Sequence, residues 1–318
     1  MQIHDLKRLK ELQSLPLDRK VGFTAARITE WYSHFGGKVH VSFSGGKDST
    51  VLLYIVRKLF PDVRALFVDT GLEYPEIREF VRTFPNVDII RPDKSFLQVI
   101  REYGYPVISK EVAQAVYEYR SKPDGYRAAQ FGLREWGKYS PGLMLENWRF
   151  LLDAPFKISH LCCNVMKKRP AKMYEKKTGT FAILGMMADE SLRRRQNWTK
   201  HGCNGFTQKR PTSNPLSFWT EQDVLRYIKT MQIPICSVYG DIVEGEDGKL
   251  KTTGEMRTGC MFCMFGCHRD KVNKFQRMYY THPKQWDYCI NHLGLKQVLD
   301  YIHVPYEPEP DLFEGEKF

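Results

Sequence analysis

The chain has 318 residues, 42% of them hydrophobic and 13% aromatic, a composition that supports a buried core and excludes an unfolded polyelectrolyte. A net charge of +11 suits a polyanionic partner such as tRNA or DNA, and equally a solvated basic surface around a pocket for an anionic nucleotide. No apolar run approaches the roughly 18 residues of a membrane span, and the opening MQIHDLKRLKELQSL lacks a signal-peptide pattern; a cytoplasmic protein with no membrane partner is expected, in which eight cysteines point to metal binding or catalysis rather than disulfides.

The opening instead predicts an amphipathic helix through Leu6, Leu9 and Leu12. A second is predicted over residues 18–35, with Val21, Ala25, Ile28 and Trp31 on one side and Gly36-Gly37 as its stop. KVHVSF then alternates through Val39, Val41 and Phe43 as a strand, and VLLYIVRKLF carries Val51, Leu52, Ile55 and Leu59 on one helical stripe. Between them lies SFSGGKDST, Ser42 to Thr50. Gly45 and Gly46 let the backbone bend into a concave turn that presents N–H groups to an anion at a helix N-terminus. Lys47 adds a cation, and Ser42, Ser44, Ser49 and Thr50 add hydroxyls. The Walker pattern G-x-x-x-x-G-K-[ST] is absent.

Further along, RALFVDTG is a near-continuous apolar run, as in a buried parallel strand whose following loop, Asp69, Thr70 and Gly71, lies at the ligand edge. Pro75 opens a helix, VDIIRP is a third strand, and FAILG, Phe181 to Gly185, is another with the loop MMADESLRRR after it. Residues 104–155 read as an insertion of helices and loops. TEQDVLRYIKTM is a helix with a capping box at Thr220 and Asp223, and residues 240–253, with DGK at their centre, form a surface hairpin or loop. Alternation of β and α predicts an α/β, Rossmann-like, mostly parallel sheet with helices on both faces. The expected division is N-terminal helices at 1–38, a nucleotide-binding domain at 39–240, and a helical, cysteine-containing region at 241–318 packed on that domain.

The loop SGGKDS resembles that of the PP-loop ATP pyrophosphatase superfamily, also called adenine nucleotide alpha hydrolase-like, and specifically its phosphoadenylyl sulfate (PAPS) reductase family. VDTGLEYPE is similar to that family's second nucleotide loop, ILGMMADESLRRR to its arginine-containing loop, and NPLSFWTEQDVLRYIKTMQIPICSVY to its tryptophan-led helix and following segment. The resemblance implies that Ser44, Gly45, Gly46, Lys47, Asp48 and Ser49 bind phosphates of ATP, that Asp69, Thr70 and Gly71 line the nucleotide edge, and that Glu190, Arg193 and Arg194, beyond Gly185, face the substrate anion. The arginines are otherwise a solvated helix end. Asp48 is the candidate ligand for Mg2+, or else a helix-capping carboxylate.

Cys162-Cys163 and the C-x-x-C pair Cys260 and Cys263 offer four thiolates in two local pairs. Such a set suits a 4Fe-4S cluster or Zn2+, and the pattern is similar to the cluster-binding pattern of adenylyl sulfate reductases. Two departures redirect the chemistry: the family's tail cysteine motif is missing from the final DLFEGEKF, and Met186 and Met187 stand where an arginine is expected. Cluster-containing members of the superfamily without the tail cysteine look like sulfur-inserting enzymes. The expected function is therefore adenylylation of an acceptor with pyrophosphate release, for sulfur transfer onto tRNA or DNA from a sulfur-donor protein. The alternatives are a sulfonucleotide reductase using an external thiol, and a metal-stabilised nucleic-acid-binding protein. Cys267 or Cys203 is a candidate persulfide carrier, or else a buried structural thiol like Cys289.

Overall fold

In the computed structural model, residues 5–135, 142 and 144–308 are described. Among these, ten strands follow in chain order: β1 (Val39–Ser42), β2 (Ala65–Val68), β3 (Val87–Ile90), β4 (Val107–Ile108), β5 (Phe181–Leu184), β6 (Asn204–Gly205), β7 (Thr212–Ser213), β8 (Ile242–Glu244), β9 (Leu250–Thr252) and β10 (Met264–Phe265). They fall into two units. The first comprises residues 1–69, 73–91 and 170–258, the second residues 70–72, 92–169 and 259–318.

The first unit is an α/β layer structure with helices on both faces of a sheet ordered β3-β2-β1-β5-β7-β6, parallel except for the antiparallel pair β6 and β7. Val41 pairs with Ala65 on one side and with Ile183 on the other, so β1 is central. Central position explains a departure from the sequence pattern. Alternation in KVHVSF predicts one wet face, yet His40 is 1% exposed, because both faces of a parallel sheet are covered. Its Nδ1 lies 2.9 Å from Thr180 Oγ1.

The helix Lys47–Leu59 packs on β1, and the helices Leu17–His34 and Glu221–Met231 pack on that helix. Leu52, Leu53 and Ile55 are buried there, each worth about 1.5–3 kcal/mol of transfer free energy. The predicted capping box is formed: Thr220 N donates to Asp223 Oδ2 at 2.7 Å, and Asp223 N to Thr220 Oγ1 at 3.3 Å. Asp223 also accepts from Lys20 Nζ at 2.6 Å in a buried ion pair that sequence periodicity does not show. β8 and β9 form the predicted hairpin, and it belongs to the first unit.

The second unit holds the helices Phe96–Glu102, Lys110–Ser121, Lys274–Thr281 and Leu295–Tyr301 and a two-stranded parallel pair of β4 and β10, with the helix Lys110–Ser121 packed on β4. β4 lies inside the segment expected to hold only helices and loops; two residues are too few for a periodic signal. Arg120 donates to the carbonyls of Leu151, Leu152, Ala154 and Phe156, which fixes the irregular turn after the helix Lys110–Ser121. No helix among the described residues is long and apolar enough to cross a membrane. The final DLFEGEKF lies outside the described residues.

Candidate functional site

Strand order reverses between β1 and β5, and the carboxyl ends of those two strands open onto a cavity of ≈ 340 Å³. Parallel sheets bind ligands at such a switch point, because the loops after neighbouring strands leave in opposite directions. Ser42, Ser44, Gly46, Lys47, Asp48 and Ser49 line it from β1 and the turn that follows, and Leu184, Gly185 and Met186 line it from β5. Gly45 forms the bend behind them at φ +72°. A Cβ there would lie 2.8 Å from Val81 Cγ2 and 2.9 Å from Ile77 Cγ2, so both conformation and space demand glycine. Gly185 serves close approach, since a Cβ on it would meet the Asp48 carbonyl oxygen at 3.1 Å.

The turn is held by its own hydroxyls. Ser49 Oγ accepts from Ser44 N at 3.1 Å and donates to the Gly46 carbonyl at 2.9 Å, while Thr50 Oγ1 donates to the same carbonyl at 3.0 Å. Gly46 caps the helix Lys47–Leu59 without a side-chain oxygen, which leaves the positive end of the helix facing the cavity. Lys47 Nζ is nearly buried. It donates to the Met256 carbonyl at 2.6 Å and pairs with Glu221 Oε1 at 3.0 Å. Its backbone N–H donates to Tyr239 Oη at 3.3 Å, and that hydroxyl lies 2.6 Å from Thr258 Oγ1.

Asp48 is the unusual group. Its Oδ1 is buried with no hydrogen-bond partner, and burial raises its carboxyl to about 6, against the opposing charge of Lys47. Across the cavity Glu190 accepts from Arg194 and from the backbone N–H of Met187, and lies 3.8 Å from Arg257 Nη1. Two guanidinium groups thus share one carboxylate where a ligand anion would come. Such an arrangement can accept a polyanion together with a cation.

Sequence expectation and structure part at several residues. Arg193 is exposed and does not line the cavity, because three successive arginines on one helix point in different directions. Thr50 is buried as a brace for the Gly46 carbonyl rather than a lining hydroxyl. Asp69 is buried at the end of β2, paired with Arg78 at 3.2 Å and Arg91 at 3.3 Å, and does not line this cavity. Thr70 and Gly71, which follow it, are grouped with the second unit, and their expected place at the nucleotide edge is neither supported nor opposed by that grouping. Conversely, Tyr239, Arg257 and Thr258 line the cavity, and Glu221 and Met256 hold its lysine, without any local pattern to mark them. Their signal was proximity to recognised segments: Tyr239 ends the piece after the tryptophan-led helix, and Arg257 precedes Cys260 by three residues.

Within the second unit, Cys163, Cys260 and Cys263 lie in electrostatic reach of Cys162, whose thiol is pushed up first by burial and then by these neighbours. Burial also raises Cys263, while Lys274 opposes it. The donor chemistry fits a tetrathiolate centre, yet among the described residues no group of three or more His, Cys, Asp or Glu is drawn together closely enough to hold a metal ion. Cys267 does not have the exposure expected of a carrier: it is buried, donates to the Met264 carbonyl at 2.9 Å, and is pushed up to about 12 by burial. Cys203, in the first unit, is likewise raised by burial and lies 3.3 Å from Ser217 Oγ. For Cys267 this matches the alternative reading of a buried structural thiol, whereas Cys203 is half-buried.

An uncharacterized protein of Methanocaldococcus jannaschii is 24% identical over 263 residues, covering 82% of this chain and 50% of its own. The chain thus spans about half the length of that relative, and 42% of a second from the same organism, at 25% identity. A protein named adenosine 5'-phosphosulfate reductase, from Staphylococcus haemolyticus, is 26% identical over 66% of this chain and 69% of its own. A crystal structure of phosphoadenylyl-sulfate reductase from Candida auris aligns with a TM-score of 0.40 at 15% identity, covering 73% of this chain and 90% of that one. The sequence model of the phosphoadenosine phosphosulfate reductase domain matches residues 38–120 and 137–283, well over half of the chain, which therefore belongs to that family.

Proposed function

We propose that the cavity binds ATP with Mg2+ and that the protein adenylylates an acceptor oxygen, releasing pyrophosphate, to prepare that position for sulfur. The observation that carries this reading is the buried, unpartnered carboxylate oxygen of Asp48 beside Lys47. A site that held only an anion would gain nothing from a desolvated carboxylate, whereas a cation bound with polyphosphate compensates it. In the reaction the acceptor oxygen bonds to the α-phosphorus, the bond from that phosphorus to the bridging oxygen breaks, and pyrophosphate leaves while the acceptor loses its proton to solvent. Lys47 and the helix N-terminus stabilise the charge that develops on the leaving group. Hydrosulfide delivered by a donor protein then bonds to the activated acceptor centre, the bond from that centre to the adenylylated oxygen breaks, AMP leaves with that oxygen, and the hydrosulfide proton goes to solvent. The net positive charge supports a nucleic acid, tRNA or DNA, as acceptor.

Mg2+ would supply charge neutralisation at the phosphates, with Asp48 as its ligand. Cys162, Cys163, Cys260 and Cys263 have the donor chemistry for a 4Fe-4S cluster or Zn2+, which would have to draw their thiols closer together, and no step above is assigned to it. Pyrophosphate release from ATP in the presence of nucleic acid tests the proposal. Lys47→Ala should reduce it at least about a hundredfold, by loss of a preorganised cation. A second reading, reduction of adenylyl sulfate with an external thiol, is favoured by the name of the Staphylococcus haemolyticus relative. Sulfite release with thioredoxin and no pyrophosphate from ATP would select it.

A further inference from the structure

Lys47 is surrounded by oxygen atoms of its own chain. Glu221 Oε1 and the Met256 carbonyl meet its ammonium at 3.0 and 2.6 Å, and Tyr239 Oη accepts from its backbone N–H at 3.3 Å. A bound phosphate would bring its own oxygens to the same donors. Met256 and Tyr239 contribute neutral oxygens, but Glu221 contributes a full negative charge. The capping box does not use it: Thr220 and Asp223 close that exchange of hydrogen bonds, and Glu221, in the first turn where the helix dipole already favours a carboxylate, reaches Lys47 instead. With 41% of its side chain exposed, Glu221 can turn out to solvent, whereas Lys47 at 4% cannot.

We propose that Glu221 is an internal counter-anion for Lys47, a specificity-determining residue that stands in for a phosphate oxygen and sets the cavity's affinity for charged nucleotides. This rests on the reading of the cavity as a nucleotide site. In the absence of ligand the carboxylate compensates a nearly buried ammonium. A polyphosphate takes over that role and Glu221 moves to water, so each binding event breaks one ion pair before it makes another. An uncharged nucleoside has no claim on Lys47 and leaves the pair intact.

Calorimetric titration of the full chain with ATP and with adenosine, in the presence of Mg2+, tests this. Glu221→Gln should tighten ATP roughly tenfold, since a competing unit charge near the ammonium is removed, and leave adenosine unchanged. Glu221→Ser should do the same, which guards against a defect peculiar to one variant. In a Lys47→Ala background, Glu221→Gln should have no effect. A residue with only a structural role would weaken ATP or leave it unaltered when replaced; either result, with ATP binding intact in the wild type, overturns the counter-anion and leaves the nucleotide site standing. Failure of the wild type itself to bind ATP overturns both.

Discussion

Asp48 and His40 show how single buried groups set opposite pH responses. Asp48 is raised from 3.8 to about 6 by burial. Below about pH 4 both folded and unfolded states hold that proton; between 4 and 6 the unfolded state has lost it and the folded state has not, so stability declines as pH rises through this window. Asp48→Asn should therefore add on the order of 2 kcal/mol at pH 7 and nothing at pH 4, read from urea unfolding, while weakening Mg2+-dependent ATP binding. His40 is lowered to about 4 by burial, with Glu175 opposing and Arg210 assisting. Its contribution is present above pH 6.5 and is lost as pH falls from there toward 4. By pH 5 about 2 kcal/mol is gone, and His40→Gln should remove that much of the acid sensitivity between pH 7 and 5. The two effects were invisible in the residue types alone, since Asp48 read as a cation ligand or a helix cap and His40 sits at a polar position of an alternating strand.

Among elements, the helix Glu221–Met231 joins more of the site than its amphipathic stripe suggests. Its capping box and apolar positions were legible, because local spacing defines both. Its Asp223, however, also receives Lys20 from the helix Leu17–His34, and its first residue, Glu221, faces Lys47. Lys20→Met should cost about 3 kcal/mol in unfolding free energy, because it leaves a buried carboxylate without its cation. The turn from β1 to the helix Lys47–Leu59 depends on backbone rather than charge. Gly45→Ala forces a left-handed alanine against Val81 and Ile77, and ATP binding should be lost even where circular dichroism shows a folded chain.

At the scale of the whole molecule, the charge of +11 gives the proposed nucleic-acid partner a measurable signature. If six or more phosphates are engaged, affinity for tRNA should fall by roughly a thousandfold between 50 and 200 mM salt, and a flat response in filter binding or anisotropy would remove nucleic acid as acceptor. The α/β class, the first strand, the glycine-bent turn and the capped helix were written in the sequence, and the segment 240–253 was marked as a hairpin or loop, because each depends on residues within a few positions of one another. The partners of those elements were not. That Tyr239, Met256 and Glu221 surround Lys47, that Asp69 is spent on Arg78 and Arg91, that Arg193 faces water while Arg257 faces the cavity, and that Cys267 lies buried were decided by tertiary structure alone. The contacts around Lys47 join residues about two hundred positions apart, and no local periodicity or spacing carries that information.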